Sequence, residues 1–177
     1  VTEAQLVKGC INENRTVQQE VFRLYAGKML TVCRRYARHN SEAQDLLQEG
    51  FIRVFNKVHT FKSTGSFEGW IRRVMVNVAL KNYQKSSYQK EQIGLEGYQE
   101  GAADPTVFSH LHEEELLKLV ASLPEGYRVV FNLYAIEGYS HAEVAELMGI
   151  GESTSRSQLV KARKMLQGMV IKLQKVA

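Results

Sequence analysis

The sequence predicts an all-α protein built as two small helical domains, an N-terminal bundle and a C-terminal helix-turn-helix, joined by a flexible linker. Three observations carry this expectation. Only two prolines, Pro105 and Pro124, occur in 177 residues, and long stretches of Leu, Ala, Glu, Gln, Lys and Arg favour helices over a sandwich or barrel. Apolar residues recur at helical spacing from Leu6 to about Lys85, lapse, and resume at Leu111. Charge is divided along the same boundaries.

In the N-terminal half, Leu6, Val7, Cys10 and Ile11 open the apolar series. Val21, Phe22, Tyr25, Met29, Cys33 and Tyr36 continue it at i, i+3 and i+4. After a break at His39 and Asn40, Ser41 is the expected cap of a helix with the apolar face Leu47, Phe51, Val54, Phe55 and Val58. The Phe61–Ser66 stretch, Phe-Lys-Ser-Thr-Gly-Ser, reads as a loop. Ser66 is placed to cap a further helix that buries Phe67, Trp70, Ile71, Val74, Met75 and Val78. Together these helices hold enough apolar surface for one compact bundle, assigned to residues 1–90.

Beyond Tyr83 the pattern dissolves into Ser, Gln, Gly and Glu and ends in Gly101-Ala-Ala-Asp-Pro105, so residues 91–105 are assigned as linker. Residues 106–177 form the second domain, where Leu111, Leu116, Leu119, Val120 and Leu123 restore the helical period. Residues 1–90 hold fifteen Lys or Arg against seven Asp or Glu, a net of +8. The linker has four acids and no base, residues 106–152 carry a net of −6, and the chain after Glu152 has six bases and no acid. Two basic blocks separated by acid are expected to bind a polyanion, one in each domain.

The Ser140–Leu166 segment, SHAEVAELMGIGESTSRSQLVKARKML, is the most specific signal in the chain. Ser140 and Glu143 make a capping box that starts a helix. Val144, Ala145, Leu147 and Met148 form its apolar face, Gly149 ends it, Ile150 plugs the core, and Gly151 opens the next helix at its N-cap. A short helix, a tight glycine turn and a longer helix make a helix-turn-helix. On the second helix Leu159, Ala162, Leu166 and Val170 face inward, which leaves Arg156, Ser157, Lys161, Arg163 and Lys164 outside. Arg156 and Ser157, near the N-terminal end, can reach base edges, and the three later cations suit backbone phosphates.

Catalytic chemistry has almost no footing. His110, His112 and Glu113 to Glu115 read as a solvated acidic helix start rather than a metal site, and His39, His59 and His141 stand singly. No P-loop, GxGxxG or HExxH occurs. Cys10 and Cys33 read as core thiols in a reducing compartment. With no signal peptide and no apolar run long enough to span a bilayer, the expectation is a cytoplasmic protein without membrane insertion, catalytic residues, metal or cofactor.

With these motifs in place, nearly the whole chain resembles the extracytoplasmic-function subfamily of bacterial sigma factors, in the sigma-70 family. LPEGYRVVFNLYAIEGYSHAEVAELMGIGESTSRSQLVKARKML is similar to the family's region four, which reads the upstream (minus-thirty-five) promoter element. The resemblance implies DNA contacts from Arg156, Ser157, Val160 and Lys161, with Arg163 and Lys164 beside them. Ser155 stands where the family normally has valine. SEAQDLLQEGFIRVF resembles the region-two helix that binds the clamp helices of the largest polymerase subunit, which implies a core-polymerase contact through Asp45, Gln48 and Glu49; Gln44 replaces the usual acid.

GSFEGWIRRVMVNVALKNYQK resembles the helix that engages the downstream (minus-ten) element. Arg73, Asn77 and Lys81 lie at successive i, i+4 steps on its exposed face, and cations with an asparagine among them can hold phosphates and an exposed base. Phe61 to Ser66 matches the loop that accepts a flipped-out promoter base, which adds Lys62 and Ser63. The resemblance further implies core RNA polymerase as partner, including the flap of its second-largest subunit, together with promoter DNA and an anti-sigma factor. A free-standing helix-turn-helix regulator with a dimerising or ligand-sensing N-terminal half is the alternative reading. A DNA-processing enzyme would need clustered metal-binding carboxylates, which the sequence lacks.

Overall fold

The computed structural model describes residues 1–90 and 112–176, and the side chains of all of these except 86–90. The expected linker at 91–105, and His110, lie outside the described residues. Among the described residues every regular element is helical, and the chain folds as two compact units, Val1–Tyr83 and Gln84–Ala177.

The first unit contains α1 (Glu3–Ile11), α2 (Arg15–Tyr36), α3 (Asn40–Lys57), a 3-10 turn (Val58–Thr60) and most of α4 (Phe67–Lys90). Thr2 caps α1 by accepting from the Gln5 N–H, while the Gln5 side chain accepts from the Thr2 N–H. Asn14 caps α2 through the N–H groups of Thr16 and Val17. The expected cap at Ser41 is replaced. α3 begins two residues earlier, and His39 Nδ1 takes the Glu42 N–H at 3.2 Å, with the Ser41 hydroxyl 2.8 Å from the same nitrogen. The imidazole reaches the third helical N–H, which leaves Ser41 inside the first turn as a support for the cap. Ser66 does cap α4, accepting from the Gly69 N–H at 3.0 Å.

Val21, Met29, Cys33, Leu6, Cys10, Phe51, Val54, Val58, Phe67, Ile71, Met75 and Val78 form the buried core of this unit. α3 also buries Ala43, Leu46 and Gly50, whereas Leu47 and Phe55 are half-buried. The small residues mark a close helix approach, because a Cβ at Gly50 would overlap the Met75 thioether of α4. Val74 is half-buried and its neighbour Val76 is buried instead. Phe22, expected inside, is 44% exposed and packs one face on Phe51 at 4.8 Å between centroids. Trp70 is half-buried and stacks parallel to Phe67 at 5.8 Å. Cys10 and Cys33 are free and buried, and burial pushes the Cys33 thiol up to about 12.

The second unit contains α5 (Glu113–Ala121), α6 (Glu125–Phe131), a π-helical turn (Asn132–Ile136), α7 (His141–Met148) and α8 (Glu152–Val176). Three glutamates fill the first turn of α5, where they complement the helix dipole, and the Glu115 carboxylate reaches back to the His112 N–H. Among the described residues no group of three His, Cys, Asp or Glu is arranged to hold a metal. Val120, Leu123, Ala162 and Leu166 make the centre of the core, flanked by Leu116, Leu119, Tyr127, Phe131, Met165 and Met169. Buried Arg128 donates to the Ala121 carbonyl at 3.2 Å, closing the C-terminal end of α5.

Candidate nucleic-acid interface

The helix-turn-helix forms through the local signals that predict it. The Ser140 hydroxyl accepts from the Glu143 N–H at 3.2 Å and the Glu143 carboxylate accepts from the Ser140 N–H at 2.8 Å. Val144 and Ala145 are buried, while Leu147, Met148 and Ile150 are half-buried. Gly149 ends α7 with φ +66°, a left-handed conformation that glycine adopts without a Cβ penalty. α8 follows with Gly151 at its cap position, its carbonyl accepting from the Ser155 N–H at 3.0 Å.

The inward stripe of α8 is Ser155, Leu159, Ala162, Leu166 and Val170, all buried. At about 100° per residue, Arg156, Ser157, Val160, Lys161, Arg163 and Lys164 occupy an arc of roughly 160° on the other side. Arg156, Ser157 and Arg163 are exposed, Lys161 and Lys164 are half-buried, and Val160 is 46% exposed. An exposed valine amid cations is apolar surface suited to a thymine methyl. The Arg156 guanidinium is tethered to Glu152 at 3.4 Å, and the Ser157 hydroxyl donates to the Thr154 carbonyl. Arg163 lies over the Tyr134 ring, 5.9 Å from its centroid.

Two surfaces occupy the first unit. On α3, Asp45, Gln48 and Glu49 are exposed on one face opposite the buried stripe, with Ile52 beside them at 56% exposure and Arg53 paired to Glu49 at 3.0 Å. The face is therefore polar, with one exposed apolar side chain among the polar ones. On α4, Arg73, Asn77 and Lys81 are exposed on successive turns. Lys62 and Ser63 are exposed in the preceding loop, where Ser63 adopts φ +54°. A non-glycine residue in the left-handed region is uncommon, and it turns the loop back before α4.

α3 and α4 are tied together beneath these surfaces. Glu42 accepts from the Arg38 backbone N–H at 2.6 Å, from the Arg38 guanidinium, and from Asn82 Nδ2 of α4 at 3.0 Å. Burial raises the Glu42 pKa, and the Arg38 and Asn82 hydrogen bonds outweigh it, so the carboxyl sits below the ordinary glutamate value. Lys28 of α2 pairs with Glu68 of α4 at 2.7 Å.

Sequence reasoning missed a cluster on the second unit. His141, which reads as an isolated histidine, stacks on Tyr134 at 4.2 Å, and its Nδ1 lies 2.9 Å from Ser155 Oγ. The available signal was Ser155 itself, a hydroxyl in phase with an apolar stripe. The π-helical turn, closed by the Glu137 N–H on the Asn132 carbonyl, brings Tyr134 there, and no sequence pattern marks it.

Comparison with known proteins follows the same division. The family model for sigma-70 region 2 matches residues 21–88, and the model for sigma-70 region 4 matches residues 113–166. The chain is 30% identical over 158 residues to the ECF RNA polymerase sigma factor SigE of Mycolicibacterium smegmatis, covering 86% of this chain and 61% of that protein. It is 28% identical over 160 residues to the ECF RNA polymerase sigma-E factor of Haemophilus influenzae, covering 82% and 83% respectively. Among solved structures, the sigma factor RpoE of Bartonella quintana, in complex with the anti-sigma factor NepR, is similar with a TM-score of 0.53 and 18% identity, over 87% of this chain and 96% of that one. CnrH, in complex with the cytosolic domain of CnrY, is similar with a TM-score of 0.52 and 16% identity, over 96% and 97%. These two share the fold. Two regions of one family, in order and on the two compact units, show that the chain belongs to the sigma-70 family of RNA polymerase sigma factors, in its extracytoplasmic-function group.

Proposed function

We propose that this chain is a dissociable promoter-specificity subunit of RNA polymerase, with no chemistry of its own. Asp45, Gln48 and Glu49 hold the clamp helices of the largest subunit. Lys62, Ser63, Arg73, Asn77 and Lys81 engage the melted downstream element. Arg156, Ser157, Val160, Lys161, Arg163 and Lys164 read the upstream element, with the second unit resting on the flap of the second-largest subunit. Residues 91–105 tether the two DNA-reading modules, so that each acts at high effective concentration once the other is bound.

The observation that carries this reading is the placement of one exposed basic helix face in each unit, each within the matching sigma-70 region. A single duplex-binding module explains the α8 face alone. The α4 face, a row of cations with an asparagine, suits single-stranded DNA instead. An anti-sigma factor belongs to the same reading, because RpoE of Bartonella quintana is held by one. Among the described residues no helix is long and apolar enough to cross a membrane. Work on core polymerase and promoter DNA puts the site of action in the cytoplasm.

The test is transcription from a genomic promoter library by purified core polymerase, with and without the protein. New start sites sharing an upstream and a downstream element are expected. Absence of any protein-dependent start site, combined with tight polymerase-independent binding to a palindrome, would favour a free-standing regulator instead.

A further inference from the structure

Ser155 departs from the chemistry of its own helix. It is in phase with Leu159, Ala162, Leu166 and Val170 and is fully buried with them. A hydroxyl placed in an apolar stripe requires a hydrogen-bond partner. The partner comes from the other helix of the pair, where His141, at the start of α7, sets its Nδ1 2.9 Å from Ser155 Oγ. The imidazole is held from a second side by Tyr134, stacked at 4.2 Å with 18° between the planes. The Tyr134 ring in turn carries the Arg163 guanidinium. One chain of contacts therefore runs from the buried face of α8, through α7 and the π-helical turn, to a basic residue on the outer face of α8.

We infer that Ser155, His141 and Tyr134 form a polar joint that sets the roll of α8 in the helix-turn-helix, making Ser155 and His141 positioning residues for base reading by Arg156 and for the phosphate contact of Arg163. The inference rests on the assignment of α8 as the recognition helix. Packed apolar side chains tolerate small rotations at little cost, whereas a buried hydrogen bond is directional and does not. A roll of about 10° moves a guanidinium by about 1 Å, the scale at which a bidentate base contact fails.

Charge around the ring supports the same geometry. Burial lowers the His141 pKa first, Arg156 and Arg163 lower it further, and Glu152 opposes them. These shifts favour the neutral ring, and the tautomer with its proton on Nε2 would present Nδ1 as acceptor for the Ser155 hydroxyl. Protonation would add a cation between two arginines and require the hydroxyl to reverse its role.

The test uses the full chain with core polymerase and a promoter recovered from the library. Upstream discrimination is the ratio of initiation on that promoter to initiation on the same promoter with its upstream element altered. Ser155→Ala removes the hydroxyl, His141→Phe keeps the stack but not the nitrogen, and His141→Asn carries an amide that reaches the position of Nδ1. Each variant is compared below its own melting temperature.

Ser155→Ala and His141→Phe should each lower discrimination roughly three- to tenfold, the equivalent of one hydrogen bond. The double variant should fall no further than either single, because the two residues act as one unit. His141→Asn should keep at least half of the wild-type ratio. Full discrimination in both singles, losses that multiply in the double, or equal losses in His141→Asn and His141→Phe would each overturn the joint. Arg156→Ala is measured alongside. If it alone loses discrimination, the joint is wrong and the recognition helix stands; if it too keeps full discrimination, the assignment of α8 itself fails.

Discussion

Leu166→Ala should unfold the second unit at a temperature that leaves the first intact. Leu166 is fully buried against Val120, Leu123 and Ala162, with Leu116, Leu119, Tyr127 and Phe131 around them. The walls of the resulting cavity belong to α5, the α5–α6 connection, α6 and α8, which cannot all move inward together. The loss should therefore lie in the upper part of the range for such truncations, about 3–5 kcal/mol. For a domain of this size each kcal/mol shifts the midpoint by about 4–8 °C, so the second unit should melt at least about 12 °C lower. Trp70 is the only tryptophan in the chain and lies in the first unit, stacked on Phe67. Its fluorescence follows the first unit alone, whereas far-UV circular dichroism follows both. The expected outcome is a new low-temperature phase by circular dichroism with the Trp70 midpoint unchanged. A single transition in which both signals move down together would show one cooperative unit, and the reasoning that separates the two would be refuted.

Asp45→Ala with Gln48→Ala should weaken core-polymerase binding and leave thermal stability nearly unchanged, because both side chains are exposed; unaltered affinity in a pull-down titration would remove the patch from the interface. Arg156→Ala should lose about 1–3 kcal/mol of discrimination at one upstream base pair. Its exposed ion pair with Glu152 contributes at most about 1 kcal/mol to folding, so the variant should melt close to wild type. Asn77→Ala should instead reduce strand opening, read as weaker permanganate reactivity of unpaired thymines, and a template mismatched at the downstream element should rescue it but not Arg156→Ala. Glu42→Gln should destabilise the first unit by about 1–3 kcal/mol near neutral pH. Because the folded-state pKa of Glu42 is depressed, its contribution is complete above the ordinary glutamate value and is lost as pH falls through the lower folded one. The gap between wild type and variant, followed by Trp70 fluorescence, should therefore close only under acid conditions; a gap that closes on raising the pH would contradict the assigned network.

The helix-turn-helix was legible in the sequence because its determinants are local. The Ser140 and Glu143 box, the Gly149 terminator and the stripe Leu159, Ala162, Leu166 and Val170 each act over a few residues, and each is found as expected. The exposed rows at Asp45, Gln48 and Glu49 and at Arg73, Asn77 and Lys81 were legible for the same reason, since helical periodicity sorts faces before packing is known. What each row touches is a matter for the binding experiments above.

Tertiary structure decided the features that depend on contacts between elements. His39 displaced Ser41 as the α3 cap because its ring, from one position outside the helix, reaches the Glu42 N–H. Gly50 entered the core because α4 brings Met75 against it, and a residue without a side chain gives no apolar signal. The tie from Glu42 to Asn82 spans forty positions, and the contact between His141 and Ser155 spans fourteen. A lone histidine and a serine out of character with its stripe carry no meaning along the chain. Only the folding of α7 onto α8, with the π-helical turn setting Tyr134 beside them, makes those residues partners. Sequence alone thus determined the helix-turn-helix and the exposed rows of α3 and α4, because these follow from short-range periodicity and capping. The fold decided which polar groups meet, because burial obliges each of them to find a partner wherever the chain brings one.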